Sequence, residues 1–138
     1  MKYPIIITCF ASLLTFGQTA KAKKAESLIH LEESEANFKK DLSASITKLR
    51  VADNRNLSPI YYQTLESGLN YQSMLKSLVP VYEKYLTNEE LDARIKNHKS
   101  KLQKPLKDNH TFDTERQKAV IQWQTQAKLA AEKAVSKY

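Results

Sequence analysis

The sequence predicts an all-α fold, a compact bundle of four to six short amphipathic helices, and three observations carry that expectation. Apolar residues recur at three- and four-residue spacing along most of the chain, with no Val/Ile/Thr run at period two. Beyond Ala22 there is one glycine, Gly68, and the prolines are Pro59, Pro80 and Pro105, so helix-breaking positions are few and well separated. Turn-forming residues cluster at 51–59 and again at 107–113.

The first residues follow a different pattern. "MKYP" supplies one lysine, an apolar run extends from Ile5 to Phe16, and small residues follow before the chain turns charged. A short basic start, an apolar core and a small-x-small exit make residues 1–22 a secretory signal peptide. Ala20-Lys21-Ala22 fits the cleavage rule best, with a cut after Ala22; a cut after Ala20 is the alternative. A spanning helix needs about 20 apolar residues, more than this run provides. Cys9 sits early in the apolar core rather than closing it, which argues against lipidation. Cleavage leaves residues 23–138 as a single helical domain without cysteine, long enough to bury a core of its own. The expected compartment is the periplasm, with secretion as the alternative, and no integral membrane segment remains after the cut.

Loss of Lys2 and Lys21 takes the 22 basic residues to 20 against 15 acidic ones, a net charge of +5. A mildly basic surface of mixed sign favours weak attraction to anionic surfaces. Export argues against nucleic acid and for anionic lipid, lipopolysaccharide or an acidic protein as partner.

The helices follow in order. Leu28, Leu31, Glu35, Phe38, Leu42, Ile46 and Leu49 make one stripe from near Lys24, as one long helix or two with a break near Glu33-Ser34. "VADNRNLSP" (51–59) is a loop, and Ser58-Pro59 reads as an N-cap followed by proline at the first helical position. Tyr61, Leu65, Gly68, Leu69, Gln72, Leu75, Val79 and Tyr82 form the next stripe. Pro80 lies within it and predicts a kink or break near Leu78-Val79. In "YLTNEEL" (85–91), Thr87 and Glu90 have the spacing of a capping box, and the acidic pair Glu89-Glu90 suits the helix N-terminus. Adjacent glutamates point about 100° apart on a helix, so they do not converge as an acid/base pair. The helix begun there carries Leu91, Ile95, His98 and Leu102 on one face and should end or bend at Pro105. Thr111 or Asp113 is the expected cap of the last helix. Its inward face is read as Val120, Trp123, Ala127, Ala130, Ala134 and Tyr138.

"LVPVYEKYLTNEELDARIKNHKSKLQKPL" (78–106) resembles the bacterial exported family of domain of unknown function 2059. Val81-Tyr82, Tyr85, Thr87, Glu89-Glu90-Leu91 and Ser100 match that family's pattern, and "SLIHLEESEANFKKDL" (27–42) looks like its opening. Asn97-His98 stand where the family has Phe-Tyr, Lys101 where it has Pro, and Gln103 where it has Gly. The resemblance implies an exported, small, all-helical protein of the diverged kind, and it implies no reaction.

No motif assembles a reactive centre. His30 and Glu33 sit at i, i+3, but zinc wants three or four ligands and there is no "HExxH" or cysteine pair. Asp108, His110 and Asp113 share a loop where turn and capping preference explains them. His98, on an apolar stripe, reads as a partly buried histidine at a packing edge. No nucleophile elbow, phosphate loop or dinucleotide fingerprint is present. The expectation is a non-enzyme with no cofactor and no metal. The dense tyrosines Tyr61, Tyr62, Tyr71, Tyr82 and Tyr85 read first as core, with a ligand groove or interface as the alternative.

One compositional anomaly remains. "RIKNHKSKLQKPLK" (94–107) holds Arg94, Lys96, Lys99, Lys101, Lys104 and Lys107 and no acid. Read as a helix, it is either a solvated face or an anion-facing surface. The candidate interaction surface is therefore Arg94, Lys96, His98, Lys99, Lys101 and Lys104 with Tyr82 and Tyr85. Thr87, Glu90 and Ser58 are structural caps. The expected function is binding another envelope component, a protein or an anionic surface, through this basic helix. A specific inhibitor or immunity-type protein against a periplasmic toxin or enzyme is one alternative. A carrier of a small hydrophobic ligand, held between the tyrosine helix and the last helix, is another.

Overall fold

A computed structural model describes residues 19–101 and 104–137, and these form helices joined by short connections, with no strand among them. In chain order they are α1 (Ala20–Glu32), α2 (Glu35–Ala52), α3 (Pro59–Gly68), α4 (Tyr71–Tyr85), α5 (Asn88–Lys99) and α6 (His110–Ser136). The all-α bundle is the architecture expected from the spacing. Of the expected signal peptide, residues 1–18 lie outside the described residues. Thr19–Ala22 are described: the Thr19 side chain caps α1 by accepting the Ala22 N–H at 3.0 Å, and Ala22 is buried. α1 therefore crosses both expected cleavage points.

Each start has a local cause. Ser34 caps α2 and divides the first stripe at Glu33-Ser34. Ser58 caps α3 with Pro59 in its first turn, and Asn70 caps α4. Asn56 takes φ 52° in the loop before α3, a conformation asparagine tolerates better than most residues. That loop is clamped from both sides. Arg55 holds the Asp53 carboxylate at 2.8 and 2.9 Å, and the Tyr62 hydroxyl donates to the same carboxylate at 2.9 Å.

The break in the tyrosine stripe falls at Leu69-Asn70, not near Leu78-Val79, and Pro80 lies inside α4. Two physical reasons account for this. Asn70 supplies a strong start signal for α4, its side chain accepting the Ser73 N–H at 2.8 Å. Leu75, Leu78, Val79 and Tyr82 are buried on either side of Pro80, and their packing offsets the roughly 3 kcal/mol that proline costs a helix interior.

α6 is the spine. Its 27 residues pack against α3 and α4, α1 packs on α4 and α5, and α2 leans on α3 and α4. The core divides along α6 into two clusters. The larger gathers Leu28 and Ile29 of α1, Leu75, Leu78 and Tyr82 of α4, then Leu86, Leu91 and Phe112. The smaller joins Ile46 of α2, Tyr61, Tyr62 and Leu65 of α3, and Ala127 and Ala131 of α6. The inward face of α6 therefore steps from Ala127 to Ala131, and Ala130, expected inside, is exposed. Phe112 is buried at its start, edge-on to the Tyr82 ring at 4.8 Å. Tyr138 lies outside the described residues. α3 and α6 approach closely at Gly68, where a Cβ would sit 3.2 Å from that of Ala127. Beside this contact the Trp123 indole N–H donates to the Ser73 hydroxyl at 2.8 Å, and Ser73 in turn donates to the Gly68 or Asn70 carbonyl. No helix among the described residues is long and apolar enough to cross a membrane.

Candidate functional site

The Thr87–Glu90 pair is a joint of the fold. The Thr87 side chain accepts the Glu90 N–H, and the Glu90 carboxylate accepts the Thr87 N–H, both at 3.1 Å. The second carboxylate oxygen accepts from Asn109 Nδ2 at 3.0 Å, and the same nitrogen donates to the Tyr85 carbonyl at 3.1 Å. Asn109 Oδ1 meanwhile accepts the Phe112 N–H and caps α6. Asn109, not Thr111 or Asp113, thus starts α6, and one amide ties the end of α4 to the starts of α5 and α6. The Thr87 N–H and then the Asn109 amide hold the Glu90 carboxyl below its ordinary value. The pair is structural, as its spacing indicates.

The basic stretch takes a different shape from the expected helix over 94–107. α5 ends at Lys99, Ser100 adopts an extended conformation (φ −84°, ψ 141°), and residues 104–109 are not helical. The chain then folds back, and the Lys104 N–H donates to Asn97 Oδ1 at 2.8 Å. Lys104 precedes Pro105, which favours the extended backbone that follows such a reversal. The reversal leaves a hollow of about 250 Å³ lined by Ala93, Lys96, Asn97, Ser100, Lys104 and Leu106. Lys96, Lys99, Lys101 and Lys104 are all exposed, and among the described residues none has a carboxylate within ion-pair distance.

The other expected surface residues separate into three positions. Arg94 is half-buried, its guanidinium 5.0 Å from the centre of the Phe112 ring, so it stacks on the core edge. His98 is exposed rather than partly buried, because the apolar stripe of α5 stops at Ile95 among the described residues. Tyr82 is not on a surface: it is 0% exposed, and its hydroxyl accepts from Arg116 Nε at 2.9 Å. Burial pushes the Tyr82 hydroxyl well above its ordinary value, so it stays neutral. Tyr85 is half-buried beside Lys84 and lines a separate hollow between α4 and α6, with Pro80, Glu115 and Lys118. The structure therefore brings Lys96 and Lys104 together and leaves both tyrosines out of their site. Asn97, which builds the hollow, had appeared in the sequence only as a departure from a family pattern.

Elsewhere, His30 pairs with Tyr71 rather than with the Glu33 side chain. Its Nδ1 lies 2.9 Å from the Tyr71 hydroxyl, which donates to the Glu33 carbonyl at 2.7 Å, and its Nε2 is 3.7 Å from Glu26. No group of three His, Cys, Asp or Glu among the described residues is placed to hold a metal ion. An apolar groove of about 360 Å³ runs between α2 and α6 over α3, lined by Phe38, Leu42, Ile46, Leu49, Leu65, Leu69 and Trp123 with Asp41, Ser45, Gln124 and Lys128 at its edges. Between the tyrosine helices and α6, the Gly68–Ala127 contact and the Trp123–Ser73 hydrogen bond border another hollow, of about 320 Å³, lined also by Lys76, Ser77, Gln126 and Ala130.

No family model, curated protein or solved structure matches this chain.

Proposed function

We propose that this chain is an exported, non-catalytic helical protein that binds an anionic component of the cell envelope through the end of α5 and the segment after it. The observation that carries the reading is the set of cations Lys96, Lys99, Lys101 and Lys104, unpaired among the described residues, on a stretch that contains no acid. Unpaired like charges repel one another and add nothing to the core, so their favourable partner is an external anion. The periplasmic compartment and membership in the family of domain of unknown function 2059 belong to this proposal. They rest on the leader-like residues 1–22 and on the resemblance of residues 78–106.

The test is the variant with Lys96, Lys99, Lys101 and Lys104 all changed to Glu. All four side chains are exposed, so the helical circular dichroism spectrum and the unfolding midpoint should stay close to those of the parent. Binding to phosphatidylglycerol vesicles at low salt should vanish. Unchanged vesicle binding by the folded variant assigns the interaction to another surface.

A second reading, a carrier of a small apolar ligand, is favoured by the α2–α6 groove. Its volume falls within the range of ligand clefts, about 300–1,000 Å³. The α2–α6 groove has the more apolar lining, and the hollow of about 320 Å³ between the tyrosine helices and α6 is the alternative site. Native mass spectrometry that finds no bound ligand, together with a Leu42→Asp variant that leaves dye binding unchanged, would remove it.

A further inference from the structure

The basic surface is not uniform. Of its lysines, Lys96 and Lys104 face one hollow across the chain reversal, and Asn97 and Ser100 complete the polar part of its wall. Asn97 Oδ1 is taken by the Lys104 N–H, so the amide nitrogen is what Asn97 has to offer as a donor. The polar wall thus draws on two lysines and an amide N–H₂. Arg94, the one residue in this stretch with a planar fork, is stacked on Phe112.

We infer that the hollow lined by Lys96, Asn97, Ser100 and Lys104 is a binding site for a phosphomonoester group. The inference rests on the reading of the basic surface given above and names the ligand chemistry of that surface. Two lysines that line one hollow are best matched by a group of charge near −2, and a phosphomonoester carries about −1.5 to −2 at neutral pH. Ammonium groups act as point charges with freely turned donors and suit tetrahedral oxygens. A planar carboxylate is better met by the bidentate fork of arginine. The size agrees: one water needs about 10–15 Å³ of such space, so about 250 Å³ leaves room for a phosphate group with part of its hydration shell. Leu106 and Ala93 on the wall accept an adjoining apolar stem.

Diffuse attraction and a shaped site are separated by Asn97→Ala. This change keeps every lysine but removes the acceptor that holds Lys104 in place, and alanine is at home in a helix. The full domain is titrated with phosphatidic acid vesicles and with phosphatidylglycerol vesicles matched for surface charge, and free glycerol phosphate is added as competitor. The parent should prefer phosphatidic acid by about tenfold, one strong discriminating contact. Asn97→Ala and Lys104→Gln should lose that preference and keep their binding to phosphatidylglycerol. Lys133→Gln, an equal change of charge near the far end of α6, should keep the preference. Competition by glycerol phosphate would identify a soluble phosphomonoester as sufficient; without it, the site needs the lipid surface. Equal binding of the two lipids by the parent, or a preference that survives in Asn97→Ala, overturns the site while leaving the basic surface standing. Failure to bind either vesicle overturns both.

Discussion

Shortening the chain from its N-terminal side should lower stability in steps set by α1. A chain that begins at Thr19 keeps the cap, whose hydroxyl accepts the Ala22 N–H at 3.0 Å. One that begins at Lys21, as after a cut at Ala20, loses it, and an N-cap is worth about 1 kcal/mol. One that begins at Lys23 loses the buried Ala22 as well. Its methyl contributes about 0.8 kcal/mol, by the worth of one buried carbon. Both shortened chains also place a positive α-amino group inside the first turn, against the helix dipole, at a cost of about 0.3–1 kcal/mol. The chain beginning at Lys23 should therefore be about 2–3 kcal/mol less stable than that beginning at Thr19, a fall in Tm of roughly 10 °C for a domain of this size. The chain beginning at Lys21 should lie between them. Urea unfolding followed by circular dichroism reads the series, with midpoints moving and slopes unchanged. Equal midpoints for all three would refute the reasoning, since α1 would then draw nothing from its first turn.

Glu90 provides a pH dependence of known sign. Its carboxyl is held below its ordinary value in the folded state, so its stabilising effect is present above the unfolded pKa and is lost as pH falls through the folded one. Glu90→Gln keeps the shape of the capping box and removes the titration, so it should flatten the acid limb of the urea midpoint against pH; an unchanged limb counts against the Asn109–Glu90 joint. Gly68→Val places carbon atoms where the Ala127 Cβ already stands 3.2 Å from an ideal Cβ, and should cost about 1–3 kcal/mol in urea unfolding. Adding Ala127→Gly should recover part of that loss, and a strictly additive double variant would show that α3 and α6 are free to separate.

Most of the fold could be read from the sequence because its signals were local. Ser34, Ser58-Pro59 and Thr87–Glu90 each fix a helix start through side chains a few residues away; the last two stand where their spacing placed them, and Ser34 decides for two helices where the spacing allowed one or two. The misreadings arose where tertiary context decides. Pro80 has the propensity of a breaker, at about 3 kcal/mol, but the buried Leu75, Leu78, Val79 and Tyr82 around it hold α4 together. Asn109 was overlooked in favour of Thr111 and Asp113, and its advantage is the pair of acceptors, Tyr85 and Glu90, that reach it from other helices. The shift from Ala130 to Ala131 depends on where α3 meets α6, and a run of alanines gives no periodic signal that would fix it.

The site was legible as a charge and not as a shape. A run without acids over 94–107 is visible in any window of the sequence, and that run alone predicts attraction to anions. Whether attraction becomes recognition depends on the Lys104 N–H reaching Asn97, a contact across seven residues that no helical periodicity announces. Had the helix continued through 107, Lys96 and Lys104 would have lain two turns apart, about 12 Å along the axis. Ending α5 at Lys99 and turning the chain back is what gives two ordinary surface lysines one hollow in common.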